Sequence, residues 1–445
     1  MLNPWLGITL VLAAFVGVMG MLRLYTVHYH PHPEVPRKML HVGMGLVACA
    51  FPWIFAETWP AWVVAAAAVT VLLASRVPNP LQQRLGGVVD GVSRDSLGDL
   101  YFPVSVALIF TLADRNIFFF CIPILVLALA DAVAALIGIF YGHIHYQTAQ
   151  GYKSAEGSIA FFMVAFFSTH VPLLLFTNTG RVETLLIAAT IGLLVMLIEA
   201  IAWQGLDNLL IPLSCYLLLV GYLPMDATRL TELLVATILW VTFVFVLRHR
   251  TTLNDGALFG AALVGYLTWS LGGWLWVLPP LILFICYPII WRNQTHIQQR
   301  PHDIRAVMAI SLPGLLLLSI ARYSGHWELL MPYAVGYAAQ LAFVGIAYVQ
   351  DVSQRHATFR EIVVTAAIGW VILVIPFTFF TIPANHRVIA AALALIILLA
   401  SVTTFSRIIP LPKHRAEERI PWLPQAILGI LTPLFYILFI NFCNG

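Results

Sequence analysis

Charged residues are scarce in this sequence of 445 residues. Asp, Glu, Lys and Arg make up 10% of the chain and hydrophobic residues make up 61%, whereas soluble domains carry about 25% charged residues. So few charges do not cover a water-facing surface, which excludes a soluble globular protein. The composition predicts that lipid is the main solvent of the chain.

Cysteine is also scarce. The five cysteines are scattered through the sequence, and no two of them form a C-x-x-C pair. We therefore expect neither a disulfide framework nor a zinc site.

Long apolar runs fill most of the chain. They are roughly 17–25 residues long, which is the length that a helix needs to cross about 30 Å of hydrocarbon, and they do not alternate with the period of two that a membrane strand requires. We therefore predict an all-α, polytopic integral membrane protein with about 16 transmembrane helices. The predicted segments are 5–22, 42–57, 59–75, 100–113, 116–140, 158–177, 182–202, 208–224, 230–247, 256–272, 274–291, 305–321, 328–349, 361–381, 387–405 and 424–441.

The loops between these segments differ in basic charge. With sixteen spans, eighteen of the 23 Lys and Arg residues fall on one face and the other five on the opposite face. Because basic loops stay in the cytoplasm, we expect the basic face to be cytoplasmic and both termini to lie on the non-cytoplasmic side. The N-terminus has no basic n-region and is interpreted as the first span. We expect the protein in the bacterial inner membrane.

A polar segment, residues 248–256, separates nine predicted spans from seven. We therefore predict two membrane domains, residues 1–247 and 248–445.

One carboxylate lies deep in an apolar run. Asp131 follows fifteen uncharged residues, and a charge in hydrocarbon costs a few kcal/mol, about 3 on insertion scales, so it is a candidate functional group. Ala134, Gly138 and Gly142 share its helix face and permit close approach of a backbone or ligand. The alternative is a packing stripe in which Asp131 is hydrogen-bonded inside the bundle.

The segment Lys153–Ser158 suits phosphate binding. Lys153 supplies a positive charge, and Gly157 permits close backbone approach. We expect Ser158 at the start of the next helix, where free N–H groups face an anion. The spacing of a P-loop is absent. Cytoplasmic loops are also basic for topology alone, which needs no catalytic role.

Oxygen ligands cluster further along the chain. Asp207 and Asn208 follow Glu199, which ends an apolar run. Carboxylate and amide oxygens suit Mg²⁺. Alternatively, Asp207 caps the following helix.

These motifs together resemble the phytol kinase and dolichol kinase family of CTP-dependent polyprenol kinases, over about residues 20–225. The motifs are Arg37-Lys38-x-x-His41-x-Gly43-x-Gly45, Ser93-Arg94, Ala130-Asp131-x-x-Ala134-x-x-x-Gly138-x-x-x-Gly142, Lys153-Ser154-x-Glu156-Gly157-Ser158, and Glu199 followed by Asp207-Asn208-x-x-x-Pro212.

The resemblance implies CTP-dependent phosphorylation of a lipid alcohol, such as phytol, geranylgeraniol, dolichol or another polyprenol, with Mg²⁺ at the cytoplasmic face. The partners would be CTP, the alcohol and membrane lipids, without nucleic acid. The residues that we expect to serve it are, for catalysis, Asp131, His41 and Lys153; for nucleotide and phosphate, Arg37, Lys38, Arg94, Ser154, Gly157 and Ser158; and for metal, Asp131, Asp207 and Asn208.

Two other functions fit these motifs. A cytidylyltransferase would join CMP to a lipid phosphate, and a non-enzymatic transporter or membrane scaffold would use the intramembrane carboxylates differently. In the second half, Asn254-Asp255-Gly256-Ala257 with Gly260, Gly265 and Gly272-Gly273 resembles the start of the membrane family that contains phytyl phosphate kinase. The later acidic and glycine-rich motifs of that family are missing, which favours an accessory helical domain.

Overall fold

The computed structural model describes residues 2–76, 97–148, 151–246, 248, 251, 253–291, 302–409 and 422–444. The chain forms two compact units, Met1–Leu239 (unit 1) and Trp240–Gly445 (unit 2), which are described separately. The domain division at residue 247 stays a prediction.

In the parts of unit 1 that the structure describes, the chain is helical apart from one β-hairpin. Asn3 caps its first helix, since its side chain accepts a hydrogen bond from the Trp5 amide. The hairpin is antiparallel and pairs His145 with Ser154. Its elements are α1 (Pro4–Tyr29), α2 (Glu34–Cys49), α3 (Phe51–Ile54), α4 (Trp59–Ser75), α5 (Gly98–Leu112), α6 (Ile117–Tyr141), β1 (His145–Thr148), β2 (Gly151–Ser154), α7 (Ala155–Phe176), α8 (Arg181–Ile201), α9 (Asp207–Tyr222) and α10 (Ala227–Val246), which begins in unit 1.

Unit 2 is built from helices around α14, whose most apolar stretch is 89% buried. The elements are α11 (Asp255–Gly272), α12 (Trp274–Trp291), α13 (Ile304–Ser324), α14 (Leu330–Ser353), α15 (Phe359–Thr381), α16 (Arg387–Ile408) and α17 (Trp422–Asn444).

The chain is a mostly helical integral membrane protein, as predicted. Helices make up 85% of the structure, and among the described residues ten helices are long and apolar enough to cross a membrane. Four further apolar helices, α4, α5, α9 and α12, are shorter. Each of the sixteen predicted segments overlaps a helix. The number of crossings and the sides of the termini stay predictions.

Two predicted loops have regular structure. The predicted segments 5–22 and 42–57 leave a loop between them, but α1 continues to Tyr29 and α2 begins at Glu34. The first turns of α2 are polar, so apolar periodicity alone does not detect them, although an acidic residue in a first turn is favourable beside the helix dipole. The expected loop 142–157 contains the hairpin and the start of α7.

Aromatic side chains pack the part of unit 1 where α3, which directly follows α2, meets α5 and α6. Phe51 contacts Phe55, Phe110 and Phe120 with ring centroids 5.1, 5.8 and 6.1 Å apart. All four side chains are fully buried. This cluster fixes the positions of the helices that carry the charged residues described next.

Candidate functional site

Two glycines bring α2 against its neighbours. A Cβ atom on Gly43 would lie 2.8 Å from Val18 of α1, and one on Gly45 would overlap the Ala128 side chain of α6. Only glycine permits this approach. The second half of the Arg37–Gly45 motif therefore packs α2 in place, and its first half presents the polar side chains.

The packing of α2 on α6 forms a buried ion pair. Lys38 Nζ lies 2.6 Å from Asp131 Oδ2, and the two side chains are 8% and 12% exposed. His41, one helical turn after Lys38, places Nε2 3.7 Å from the same carboxylate oxygen. This nitrogen is buried and has no hydrogen-bond partner. Three of the predicted site residues thus meet at one point.

Asp131 follows an irregular turn of its helix. Residues Val126–Ala130 form a π-helical segment directly before it. Such segments are frequent at functional sites, because they shift the register of the side chains that follow. Pro123 also lies inside this helix and donates no backbone hydrogen bond. The local irregularity supports a functional role for Asp131.

The stripe of small residues on α6 packs against the turn from β2 into α7. A Cβ on Gly138 would lie 3.0 Å from Ser154 Oγ, and one on Gly157 would lie 2.9 Å from the Ala134 carbonyl. A Cβ on Gly142 would lie 2.8 Å from Ser154 Cβ. The stripe therefore holds this turn beside the helix of Asp131, as the sequence predicts.

The helix cap differs from the expected one. The structure begins α7 at Ala155 and caps it with Ser154, whose Oγ accepts a hydrogen bond of 3.0 Å from the Gly157 amide. The expectation that Ser158 begins the helix is wrong, because the serine with extended backbone four residues earlier satisfies the free amide. The Ser158 hydroxyl lies 2.7 Å from the Tyr146 hydroxyl of β1.

Lys153 forms the second ion pair of the site. Its Nζ lies 2.7 Å from Glu199 Oε1 and also donates to the Glu199 backbone carbonyl. Burial alone would lower the pKa of Lys153, but the Glu199 carboxylate outweighs it and the pKa is raised. The lysine is therefore charged at neutral pH. The hairpin, which follows α6 in the chain, places the Lys153 ammonium group beside Glu199 at the end of α8.

Asp207 and Asn208 begin α9 beside these charges. Asp207 interacts electrostatically with Asp131, Lys153, Lys38 and Glu199. It is the first residue of the helix, and its side chain does not cap it; Leu206 stands at the cap position.

The metal prediction combines these two residues of α9 with Asp131 of α6. The Asn208 Oδ1 atom is buried without a hydrogen-bond partner, as a metal ligand would be before its ion binds. Within the described ranges no three His, Cys, Asp or Glu residues form a metal-binding cluster. Two carboxylates and an amide still fit Mg²⁺, which is held by one or two carboxylates together with water and substrate phosphate.

The remaining predicted phosphate ligands are arginines. Arg37 pairs with Glu34 at 2.6 Å on α2, and its side chain is 33% exposed. It interacts electrostatically with Asp131 and Asp99 as well. Arg94 lies outside the described residues.

Three residues of this site were not predicted as site residues. Glu199, Glu34 and Tyr146 are the partners of Lys153, Arg37 and Ser158. Glu199 had a signal in the sequence, because it is a carboxylate at the end of a long apolar run, like Asp131 inside one. Tyr146 and Glu34 had none.

A comparison with curated proteins identifies the family. The chain is 32% identical over 193 residues to a phytol kinase from Synechocystis sp., covering 42% of this chain and 78% of the relative. The chain belongs to the phytol kinase family. No family model matches the chain, and no solved structure matches it. The resemblance to the phytol kinase family inferred from the motifs is therefore confirmed over a segment.

Proposed function

We propose that this protein phosphorylates a membrane lipid alcohol, such as phytol, geranylgeraniol, dolichol or another polyprenol. CTP is the donor, and Mg²⁺ assists at the cytoplasmic face. The observation that carries the proposal is the buried Lys38–Asp131 pair with His41 beside it. A relative of this chain, 32% identical over 193 residues, is a phytol kinase.

The two lysines suit the phosphates of a nucleotide. Each is held by a carboxylate, Lys38 by Asp131 and Lys153 by Glu199. Triphosphate oxygens offer the lysines an alternative negative partner, and the carboxylates they leave become available to a cation. Asp131, Asp207 and Asn208 would hold Mg²⁺, and its binding would be coupled to that of the nucleotide, since either one alone leaves buried charge uncompensated. When bound, Mg²⁺ would neutralise the negative charge that develops on the phosphoryl group during its transfer.

The lipid alcohol would present its hydroxyl to the point where Asp131 and His41 meet. The hydroxyl oxygen attacks the γ-phosphorus, the bond from that phosphorus to the β-phosphate oxygen breaks, and CDP leaves. His41 Nε2 lies in reach to accept the hydroxyl proton, because it is buried without another partner and 3.7 Å from Asp131 Oδ2. Asp131 orients the imidazole and the hydroxyl.

Three residues at the junction of β2 and α7 position the donor. The Ser154 cap and the close packing at Gly157 hold the start of α7 next to Lys153. The basic loops of the sequence support a cytoplasmic site, where a nucleotide is available.

The test uses purified full-length protein with Mg²⁺, CTP and a panel of prenols, with products identified by mass. A prenyl monophosphate is expected, and Asp131→Asn abolishes it. Glu232→Gln is the matched control, because Glu232 belongs to an exposed ion pair with Arg229. This variant should keep full activity.

Other products would overturn the proposal. Pyrophosphate release with a CMP-lipid made from a lipid phosphate would identify a cytidylyltransferase. No product from either acceptor, together with no binding of CTP, would leave a transporter or membrane scaffold.

A further inference from the structure

Unit 1 contains two cysteines that face each other across a helix interface. Cys49 is the last residue of α2, and Cys121 lies near the start of α6. The Cys121 thiol donates to the Cys49 carbonyl oxygen at 3.4 Å, and the Cys49 thiol donates to the Cys121 carbonyl oxygen at 4.0 Å. The two thiols also interact directly with each other. Each cysteine therefore lies against both the backbone and the side chain of the other.

The packing that forms the Lys38–Asp131 pair also holds the two cysteines in register. Cys49 follows Lys38 by eleven residues on α2, and Cys121 precedes Asp131 by ten residues on α6. These spacings correspond to about 16 Å and about 15 Å of helix. The two helices therefore run antiparallel, with the ion pair at one end of their interface and the thiols at the other. The close glycine contact of α2 with α6 lies between the two ends.

Aromatic packing fixes the end of the interface where the thiols lie. Phe51, two residues after Cys49, stacks on Phe120, the neighbour of Cys121, with ring centroids 6.1 Å apart. Both rings are buried, so moving the two cysteines apart would also break this contact. Each cysteine is itself partly exposed. The thiols are thus held together and are open to a small reagent.

Both cysteines are free thiols in the structure. They are 72 residues apart in sequence, so their spacing does not predict that they meet. A free cysteine inside a protein often serves only as a small apolar side chain. Two thiols in mutual contact have a further chemical option, because oxidation joins them through a single S–S bond.

We propose that Cys49 and Cys121 form a reversible disulfide that fastens α2 to α6. The oxidant is a small disulfide compound. One protein thiolate attacks it, forms a mixed disulfide and releases the first small thiol; the second protein thiolate attacks the mixed disulfide and releases the second small thiol. Each step forms one S–S bond and breaks another. The two small thiols take up the two electrons and two protons that the protein loses.

The position of the thiols suits such a bond. With the ion pair at the cytoplasmic face, which is part of the proposed function, the thiols lie toward the opposite face of the membrane. Disulfides persist in compartments outside the cytoplasm. The bond would hold α2 against α6, and it would thereby keep Lys38 and His41 beside Asp131. Formation of the bond itself does not depend on kinase activity.

The test treats purified full-length protein in lipid nanodiscs with dithiodipyridine, a small apolar disulfide. The products are mapped by mass. Monomeric protein should yield one cross-linked peptide pair that contains Cys49 and Cys121, lower in mass by two hydrogen atoms, with no pyridinethiol group retained on either cysteine. A reducing agent should reverse the change.

Unfolding in SDS measures what the bond does to the helix pair. The disulfide closes a loop of 72 residues in the unfolded chain. Oxidised protein should therefore shift at least about tenfold toward the folded state relative to reduced protein at the same SDS concentration. The same midpoint for oxidised and reduced protein would contradict the fastening of α2 to α6.

Two variants decide which cysteines are responsible. Cys121→Ser should lose the cross-link and retain a pyridinethiol group on Cys49, and the oxidant should not stabilise it. Cys286→Ser, which removes a partly exposed thiol of unit 2, is the matched control and should form the cross-link as wild type does. Separate pyridinethiol groups on Cys49 and Cys121 in wild type, or a cross-link only between two copies of the chain, would overturn the proposal.

Discussion

Replacing Lys38 by Met leaves the Asp131 carboxylate without its partner at 2.6 Å. Both side chains are nearly buried, at 8% and 12% exposure. Removing one member of such a pair costs about 3–5 kcal/mol of unfolding free energy, because the other charge stays buried and unpaired. Asp131→Asn should lower the free energy of unfolding by a similar amount, because it leaves the Lys38 ammonium group buried without a partner.

The double variant Lys38→Met/Asp131→Asn removes both charges. It should be no less stable than either single variant, which corresponds to a coupling free energy of at least about 3 kcal/mol. Unfolding in detergent by SDS titration measures all four proteins. The Arg229–Glu232 pair, which is exposed, is the control and should couple by less than about 1 kcal/mol. Additive losses at Lys38 and Asp131 would refute the buried pair.

In this double-mutant cycle, activity and stability should respond differently. The double variant regains stability but stays inactive, because phosphate binding and hydroxyl orientation both depend on the lost groups. An active double variant would show that the pair is structural only.

Three further changes test the surroundings of the pair. Gly157→Ala should lower the free energy of unfolding by about 1–3 kcal/mol, because its Cβ would lie 2.9 Å from a backbone carbonyl. Gly221→Ala is the control: a Cβ there has nothing within 4 Å, so this variant should be as stable as wild type or more stable in thermal unfolding. Ser154→Ala should cost about 1 kcal/mol through loss of the α7 cap, measured by SDS titration. Glu199→Gln should lower the pKa of Lys153, so nucleotide binding is lost at a lower pH, as measured by titration calorimetry from pH 7 to 10.

The sign of the last effect follows from the pair. The pKa of Lys153 is raised in the folded protein: burial opposes this shift, and Glu199 outweighs burial. The pair's stabilisation is therefore fully present below the unfolded lysine pKa of about 10.4 and is lost as pH rises through the folded value. Identical pH profiles for wild type and Glu199→Gln would contradict the assigned pair. A Gly157→Ala or Ser154→Ala variant as stable as wild type would contradict the described packing of the α7 start.

The helical segments of the fold were predictable because they depend on local properties. Apolar runs long enough for a bilayer identify helices regardless of their neighbours. The small-residue stripe after Asp131 was also readable, since spacing along one helix fixes a common face. Polar helix starts were missed, because Glu34 to His41 carry no apolar period although they belong to α2.

The partners within the site were not predictable in the same way. Lys38 and Asp131 are 93 residues apart in sequence, and Lys153 and Glu199 are 46 apart. Such pairs depend on how helices pack, and only Gly45 hints at that packing by permitting contact with Ala128. The sequence therefore predicts a functional role for Asp131 but does not predict that Lys38 is its counter-ion.

The central claim is that a phosphoryl group moves from CTP to a lipid alcohol. Purified protein is incubated with Mg²⁺, a prenol and CTP that is labelled either at the γ-phosphate or at the α-phosphate. The account predicts label in the lipid product only from the γ-position, and none with Asp131→Asn. Label from the α-position, or no labelled lipid from either nucleotide, would contradict it.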